Sequence, residues 1–563
     1  MPAAYILYLA LNSGELPHND YWSILATLYS KNGFSTDIAD WLSPHNEHVM
    51  SVTYIIYALN IIATHGSNTG LTLATWLFAL IQLALLLMLL PRDVWNPSIS
   101  SIALVLGMTS FVFTPSAAHN WIRGFSGVAW IGANMFVIAS IFCLARFFFS
   151  GRWGWAVGSA SLAFLASLTY TTALALWPVL TVGLILVRVR WRFVLLYVGL
   201  TAVVYFAYFS GYKTPGFHPS PVYSKVGDLL LYVSAYLGGI FTTNFEIAAI
   251  IGIVGLAISA SMFFILLFRV SHKIRLMVIP WFLIQGYALG TAIMAAVGRS
   301  GFGLDQAMES RYATLPALFW IGLFVTATLF WGSLVTNRLR RQFALAFTGI
   351  AAVFLIVSMY RVGAERVRVF LSRVPLQSAA LLSIQLGIPD EQAIMLSITP
   401  AAPTFLHNVP TLVARGHVPY NKENIPCAEI DRQLDQDLLD YTSQPRIQGY
   451  FDFLDAYADN GARVVGWAYD PDHQLKCIVL VNQEGIIRGL AVPGFSRPDV
   501  AEILGLPDLR TGWIGYVRVP SKDELLTAYV LRDQDDRLIP LQDSHSFESP
   551  GRVELSIYRN MTE

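Results

Sequence analysis

Apolar residues fall in long blocks from the N-terminus to about residue 360, with short polar stretches between them. Many of these blocks are long enough to cross a bilayer. The pattern predicts spans at 2–13 (a short one), 48–64, 71–90, 99–113, 125–147, 154–170, 173–188, 193–210, 245–268, 277–297, 313–336 and 344–360. A further apolar segment at 228–244, "DLLLYVSAYLGGIFTTN", is interrupted by Gly and reads as a span, a half-helix or an interfacial helix. The opening "MPAAYILYLALN" has no basic region or cleavage site, so it does not read as a signal peptide.

Beyond 360 the pattern changes. Residues 361–415 mix helical periodicity with Pro breaks, and the acidic run "CAEIDRQLDQDLLDYTSQP" beginning at Cys427 reads as helix or linker. From about 447 come short β-rich runs bounded by Asp, Gly, Asn and Pro: "ARVVGWAYD", "CIVLVN", "IIRGLAV", "IGYVRVP" and "LTAYVLRD". The expected fold class is a polytopic α-helical membrane protein of about 11–13 spans with a C-terminal soluble all-β sandwich. The expected division is a membrane domain at 1–360, a helical segment and linker at 361–446, and a sandwich at 447–563 that folds alone.

Composition agrees: 55% of residues are hydrophobic and 13% charged, with mean hydropathy +0.52. The net charge of zero hides a split. Through Tyr360 there are 18 Lys and Arg against 10 Asp and Glu, giving +8; the remaining 19 and 27 give −8. No basic stripe with interleaved aromatics is present, which argues against nucleic acid as a partner.

Basic residues in short loops set orientation. Arg146 with Arg152, "RVRWR" (188–192), "RVSHKIR" (269–275) and "RLRR" (338–341) are expected on the cytoplasmic side. That places "SGYKTPGFHPSP" (210–221), "GRSGFGLDQAMESRY" (298–312) and the acidic C-terminal half outside, with 228–244 not crossing. Counting every apolar run as a span puts loop 14–47 inside, whereas a first helix starting inside puts it outside; its chemistry favours the outside. Of the three cysteines, Cys143 reads as a small buried residue. Cys427 and Cys477 are able to pair if their half lies outside the cytoplasm.

Three polar clusters are candidates for one shared face. The first holds Asp20, Trp22, His45, Glu47 and His48; the second His119, Asn120, Trp121 and Arg123; the third Lys213, Tyr212, His218, Arg299, Arg311 and Tyr312. Aromatic rings stack on sugar faces, Arg and Lys hold phosphate, and a carboxylate can accept a proton from an attacking hydroxyl. Each residue also has a plain structural reading. Asp20 fits an N-cap before Tyr21, Trp22 and Trp121 fit an aromatic belt, and Arg299, Arg311 and Lys213 fit interfacial anchors. His45 and His48 with Glu47 leave a divalent metal as an option, although their spacing matches no zincin motif.

In these features the chain resembles the GT-C superfamily of integral membrane glycosyltransferases. It looks most like a group of bacterial membrane proteins that share "HNDYW" (18–22), "NEHVM" (46–50), "FTPSAAHNWIRGFSGVAW" (113–130), "SLTYTTALALWP" (167–178), "GYKTPGFHP" (211–219) and "GRSGFGLDQAMESRY" (298–312), in that order. The resemblance implies a polyprenyl-phosphate sugar donor, a cell-envelope glycan or glycolipid acceptor, inversion, and a site on the outer face of the bacterial cytoplasmic membrane. It places the catalytic base at Asp20. Many relatives carry two adjacent acids there; this chain has Asn19, so no cofactor is implied with certainty. The stretch from Val464 to Pro520 resembles a β-sandwich module appended to bacterial glycosyltransferases, with Trp467, Asp499 and Trp513 at its characteristic places. Two other readings stand beside the enzyme. One is a transporter or flippase of an envelope lipid, which would want charges inside spans and paired half-helices. The other is a glycan-binding scaffold, which would need only one span.

Overall fold

The computed structural model describes residues 1–91, 99–212, 216, 226–335, 337–421, 427–440, 447–458, 461–506, 509–518, 524–533 and 537–546. Two compact units make up the chain. The first comprises Met1–Ser13, Phe34–Thr64 and Asn68–Arg368; the second comprises Gly14–Gly33, His65–Ser67 and Val369–Glu563.

The first unit is helical. Among the described residues, eight helical stretches are long and apolar enough to cross a membrane: Asn68–Met88, Ile99–Ile122, Gly124–Ser150, Trp191–Phe209, Phe245–Arg269, His272–Phe302, Thr314–Leu334 and Arg338–Gln385, the last running past the unit's edge. Ser51–Thr64 is a helix of only 14 residues. At about 1.5 Å per residue it falls short of a bilayer core, which bears on the parity conflict around loop 14–47. The ambiguous 228–244 segment becomes the short helix Val226–Gly238 followed by a turn.

Gly124–Ser150 is apolar on all sides and is buried along most of its length, packed against its neighbours Asn68–Met88 and Trp153–Thr169. Polar side chains stitch these helices together. Asn68 donates to the Ile122 carbonyl (2.9 Å) and accepts from the Gly124 N–H (2.9 Å). Asn134 donates to Thr314 (3.1 Å) and accepts from Tyr287 (2.9 Å). Gly252 allows Phe245–Arg269 to touch Val226–Gly238: a Cβ there would lie 1.9 Å from the Ser234 carbonyl oxygen. Outer faces stay apolar, with Leu195, Val203 and Phe206 exposed on one helix and Phe343, Phe347, Ile350 and Phe354 on another. Apolar exposure on this scale is compatible with a lipid-facing surface.

The second unit joins an N-terminal loop to the C-terminal half. Helix Tyr21–Leu28 packs on helix Ala402–Arg415, where the Trp22 and Phe405 rings meet edge to face at 4.6 Å. Asn408 donates to the Trp22 carbonyl (3.0 Å), and the Asn19 N–H to that of Ile398 (2.8 Å). Tyr29 bonds His417 Nε2 at 2.6 Å, and the Val418 N–H bonds the His65 carbonyl at 3.0 Å. The stretch expected as a helical linker thus supplies partners for residues 14–33.

Seven strands follow: β1 (Gln448–Ala458), β2 (Gly461–Tyr469), β3 (Leu475–Asn482), β4 (Ile487–Phe495), β5 (Gly512–Arg518), β6 (Leu525–Arg532) and β7 (Leu538–Ser546). They form one antiparallel sheet in the order β6-β7-β1-β2-β5-β4-β3, with β3 pairing back to β6. A single parallel bridge, Tyr450↔Gln542, closes the remaining seam. The expected two-sheet sandwich is therefore corrected to one curled sheet. Register shifts at Phe451/Phe453, Leu480/Val481, Pro493/Phe495 and Thr527/Tyr529 supply the physical reason, since bulges increase twist and let a sheet curl.

Both faces of this sheet are apolar. Inside lie Phe451, Val464, Ile478, Leu480, Trp513 and Val530. Gly466 leaves room for the Trp513 ring, which a Cβ would meet at 2.2 Å. Val479, Leu490, Ile514 and Leu531 face the other way, in a cluster with Leu382 and Leu386 from the preceding helical stretch and with Leu434. Two-sided burial explains why "CIVLVN" does not alternate. A disulfide joins Cys427 to Cys477 on β3 and closes a 50-residue separation. Replacing both cysteines with serine is expected to cost the C-terminal unit about 2–4 kcal/mol. Pulse proteolysis of the purified protein measures it; equal cleavage of variant and wild type would contradict the expectation.

Candidate functional site

Glu47 and His48 lie at a tight hairpin in which Pro44–His45 pairs with His48–Val49, with His45 opposite His48. Asn46 takes φ 52°, a conformation Asn tolerates in a turn. Polar groups from distant parts of the first unit fix this hairpin. Tyr208 donates to the Glu47 carbonyl (2.8 Å) and accepts from the Val49 N–H (3.4 Å). His48 Nδ1 bonds Thr171 Oγ1 at 2.6 Å, and its Nε2 bonds the Tyr170 hydroxyl at 3.2 Å. Thr171 in turn bonds Tyr208.

The Glu47 carboxylate forms an ion pair with Arg299, 252 residues away at the end of helix His272–Arg299. His48 Nε2 lies 3.4 Å from the same oxygen. The pair is shielded but not sealed: the Glu47 and Arg299 side chains are 10% and 21% exposed.

A row of rings continues from this cluster. His48 lies against Tyr170 (4.5 Å between centroids), Tyr170 against Trp130 (4.6 Å), Trp130 against Tyr312 (5.4 Å), and Tyr312 stacks on Tyr236 (5.2 Å). The Arg311 guanidinium sits 5.3 Å from the Tyr312 ring centre. Its Nε is buried without a hydrogen-bond partner. Burial works against the Arg311 charge, but Tyr312 and Glu309 outweigh it and raise its pKa. The row therefore has an arginine at each end and, between them, rings packed against one another, of which Trp130, Tyr312 and Tyr236 are buried.

Asn120 and Trp121 are fully buried within the fold. Asn120 donates to the Arg311 carbonyl (2.8 Å) and accepts from Ser126 (2.8 Å), so it holds the Arg311 backbone in place. Trp121 donates to the Thr114 carbonyl (2.7 Å) and stacks on Phe113. Arg123 is half-buried at the N-cap of Gly124–Ser150. Lys213 and His218 lie outside the described residues.

Asp20 and Trp22 belong to the second unit. Trp22 is buried, and its indole donates to the Pro17 carbonyl (3.0 Å). Asp20 is exposed at the N-cap of Tyr21–Leu28 with helical backbone angles, and it makes no side-chain capping bond. The cap reading of this carboxylate therefore has no hydrogen bond behind it. In the sheet, Trp467 is half-buried and Trp513 is fully buried, 5.6 Å from Phe451. Arg497 binds Asp499 and holds its carboxyl below the usual range. These three residues serve the fold.

Among the described residues, no three His, Cys, Asp or Glu side chains converge as metal ligands. Both His48 nitrogens are engaged by Thr171 and Tyr170, and Glu47 by Arg299, so two of the three residues that leave a metal as an option have protein partners. Tyr208 lies in none of the stretches quoted above, and Tyr170, Thr171 and Trp130 lie in "SLTYTTALALWP" and "FTPSAAHNWIRGFSGVAW" without being candidates individually. The one local signal was a Thr-Tyr-Thr-Thr run (169–172) inside an apolar stretch. Comparisons with family models, curated proteins and solved structures find no match for the chain.

Proposed function

We propose that this chain is a membrane glycosyltransferase. It moves a sugar, with inversion, from a polyprenyl-phosphate donor to a cell-envelope glycan or glycolipid on the outer face of the bacterial cytoplasmic membrane. The observation that carries the reading is the row from Arg299 through Glu47, His48, Tyr170, Trp130 and Tyr312 to Arg311. Aromatic faces suit a pyranose ring, and guanidinium groups suit a phosphate. The Cys427–Cys477 disulfide supports an oxidising compartment for the C-terminal unit.

In this reading the acceptor oxygen attacks the anomeric carbon as the bond to the donor phosphate breaks. The lipid phosphate leaves with the electron pair. Arg299 and Arg311 stabilise its growing charge. The acceptor proton passes to a carboxylate, a role that the resemblance to the GT-C superfamily gives to Asp20.

The test uses the purified full chain in nanodiscs with radiolabelled polyprenyl-phosphate sugars and an envelope glycolipid extract. Labelled product together with released polyprenyl phosphate is expected. Absence of both with a folded protein across the common hexose and pentose donors would overturn the reading.

A further inference from the structure

We infer that Glu47 is an internal competitor for an incoming phosphate: it occupies Arg299 when the site is empty and is displaced when a phosphate monoester binds. The proposal rests on the glycosyltransferase reading only for the identity of that ligand as the polyprenyl phosphate that transfer releases.

Three features of the geometry carry it. The first is how the hairpin is held. Tyr208 clamps the Glu47 carbonyl, and Thr171 and Tyr170 hold the two nitrogens of His48. The backbone is thereby fixed, and the adjustable part is the Glu47 side chain itself. The second is partial exposure. A pair at 10% and 21% exposure is open to an incoming ligand yet shielded enough for its charges to matter. The third is the neighbouring chemistry. The row of rings begins at His48 and ends at Arg311, whose buried Nε makes no hydrogen bond. The same row thus carries a second guanidinium at its far end, and a phosphate monoester brings three acceptor oxygens to the Arg299 end.

The exchange has a physical direction. A carboxylate offers Arg299 one charge and two oxygens. A phosphate monoester near neutral pH carries more than one charge and more oxygens, so it binds a guanidinium at least as well. Glu47 lowers the net affinity, because its own bond to Arg299 must break first. It also neutralises Arg299 in the empty site and so disfavours weaker anions.

Binding of two probes, farnesyl phosphate and inorganic phosphate, is measured calorimetrically on the full-length protein in nanodiscs. The variants are Glu47→Gln, Glu47→Ala, Arg299→Gln and the double Glu47→Gln/Arg299→Gln. Both Glu47 variants are expected to bind farnesyl phosphate about tenfold tighter than wild type, and Arg299→Gln about tenfold weaker. Adding Glu47→Gln to Arg299→Gln should then give no further gain, because the two residues act on one contact. Tightening confined to farnesyl phosphate would identify a lipid headgroup as the ligand; equal tightening toward inorganic phosphate would identify a soluble phosphate.

Unchanged or weaker binding in both folded Glu47 variants would overturn the proposal, as would a gain that persists without Arg299. If wild type transfers sugar while the Glu47 variants bind no tighter, the competitor role fails and the glycosyltransferase reading stands. If wild type binds neither probe, the competitor role fails here too, and the sugar-transfer assay decides the other reading separately.

Discussion

Replacing Asp390 with alanine is expected to destabilise the C-terminal unit strongly. Asp390 is fully buried at the N-cap of Glu391–Ser397, where its carboxylate accepts from the Ala393 N–H (3.1 Å). Its other oxygen accepts from Arg463 Nε on β2 (2.7 Å) and from the Tyr516 hydroxyl on β5 (2.7 Å). Arg463 is only 2% exposed. Burial works against the Arg463 charge, and Asp390 more than offsets it, so the Arg463 pKa is raised. Removing the carboxylate leaves the buried guanidinium with only the more distant Asp455 carboxylate (4.0 Å) beside it, a loss of about 3–5 kcal/mol. That is a large share of the roughly 5–15 kcal/mol holding a typical domain together.

The same bond decides how the chain divides. A fragment of 447–563 lacks Asp390 and also Leu382, Leu386 and Leu434, which belong to the cluster on one face of the sheet. It is expected to aggregate, contrary to the independence its strand pattern suggests, whereas 369–563 should retain the sheet. Circular dichroism and size exclusion on the two fragments check this, and chemical unfolding of full-length Asp390→Ala checks the variant. A monomeric, folded 447–563 or a wild-type-like Asp390→Ala would refute the assignment.

Under the proposed function, Asp20→Asn is expected to reduce sugar transfer severely and leave the fold intact. The fold is expected to tolerate the change because Asp20 is exposed and asparagine keeps its size and its polar side chain. Its surroundings are held by other residues: Trp22 through Pro17 and Phe405, and Asn19 through Ile398. The chemistry is sensitive because an amide cannot accept the acceptor's proton, and loss of a general base reduces turnover about 10²–10⁴-fold. Farnesyl phosphate binding should stay near wild type, which separates this residue from Arg299. Turnover in nanodiscs, compared with farnesyl phosphate binding by the same sample, makes the measurement. A folded Asp20→Asn enzyme with ordinary turnover would remove Asp20 from the mechanism.

The local pattern of the sequence determined the elements. Apolar blocks too long for a small core, almost without charge, could only be long helices, and most appear near their expected positions. Five β-rich runs became β2 to β6 within a few residues, because short β-branched runs between turn residues have few alternatives. β1 and β7 were missed: "QGYFDFLDAYA" carries two acids, and "LIPLQDSHS" carries a Pro and several polar residues. Closure of the sheet depended on those two strands, so a sandwich was the natural expectation.

What tertiary structure decided was pairing between distant residues. Glu47 meets Arg299, Asp390 meets Arg463, and loop 14–33 joins the C-terminal unit through Trp22, Asn408 and Tyr29. Periodicity reports which face of an element is apolar, but it carries no information about which distant charge will answer a given carboxylate. Glu47 and Asp390 both read in the sequence as acids beside turns. One became a partly exposed lid on an arginine and the other the buried anchor of a sheet, because only the folded chain sets each one's distance to a guanidinium and its access to water.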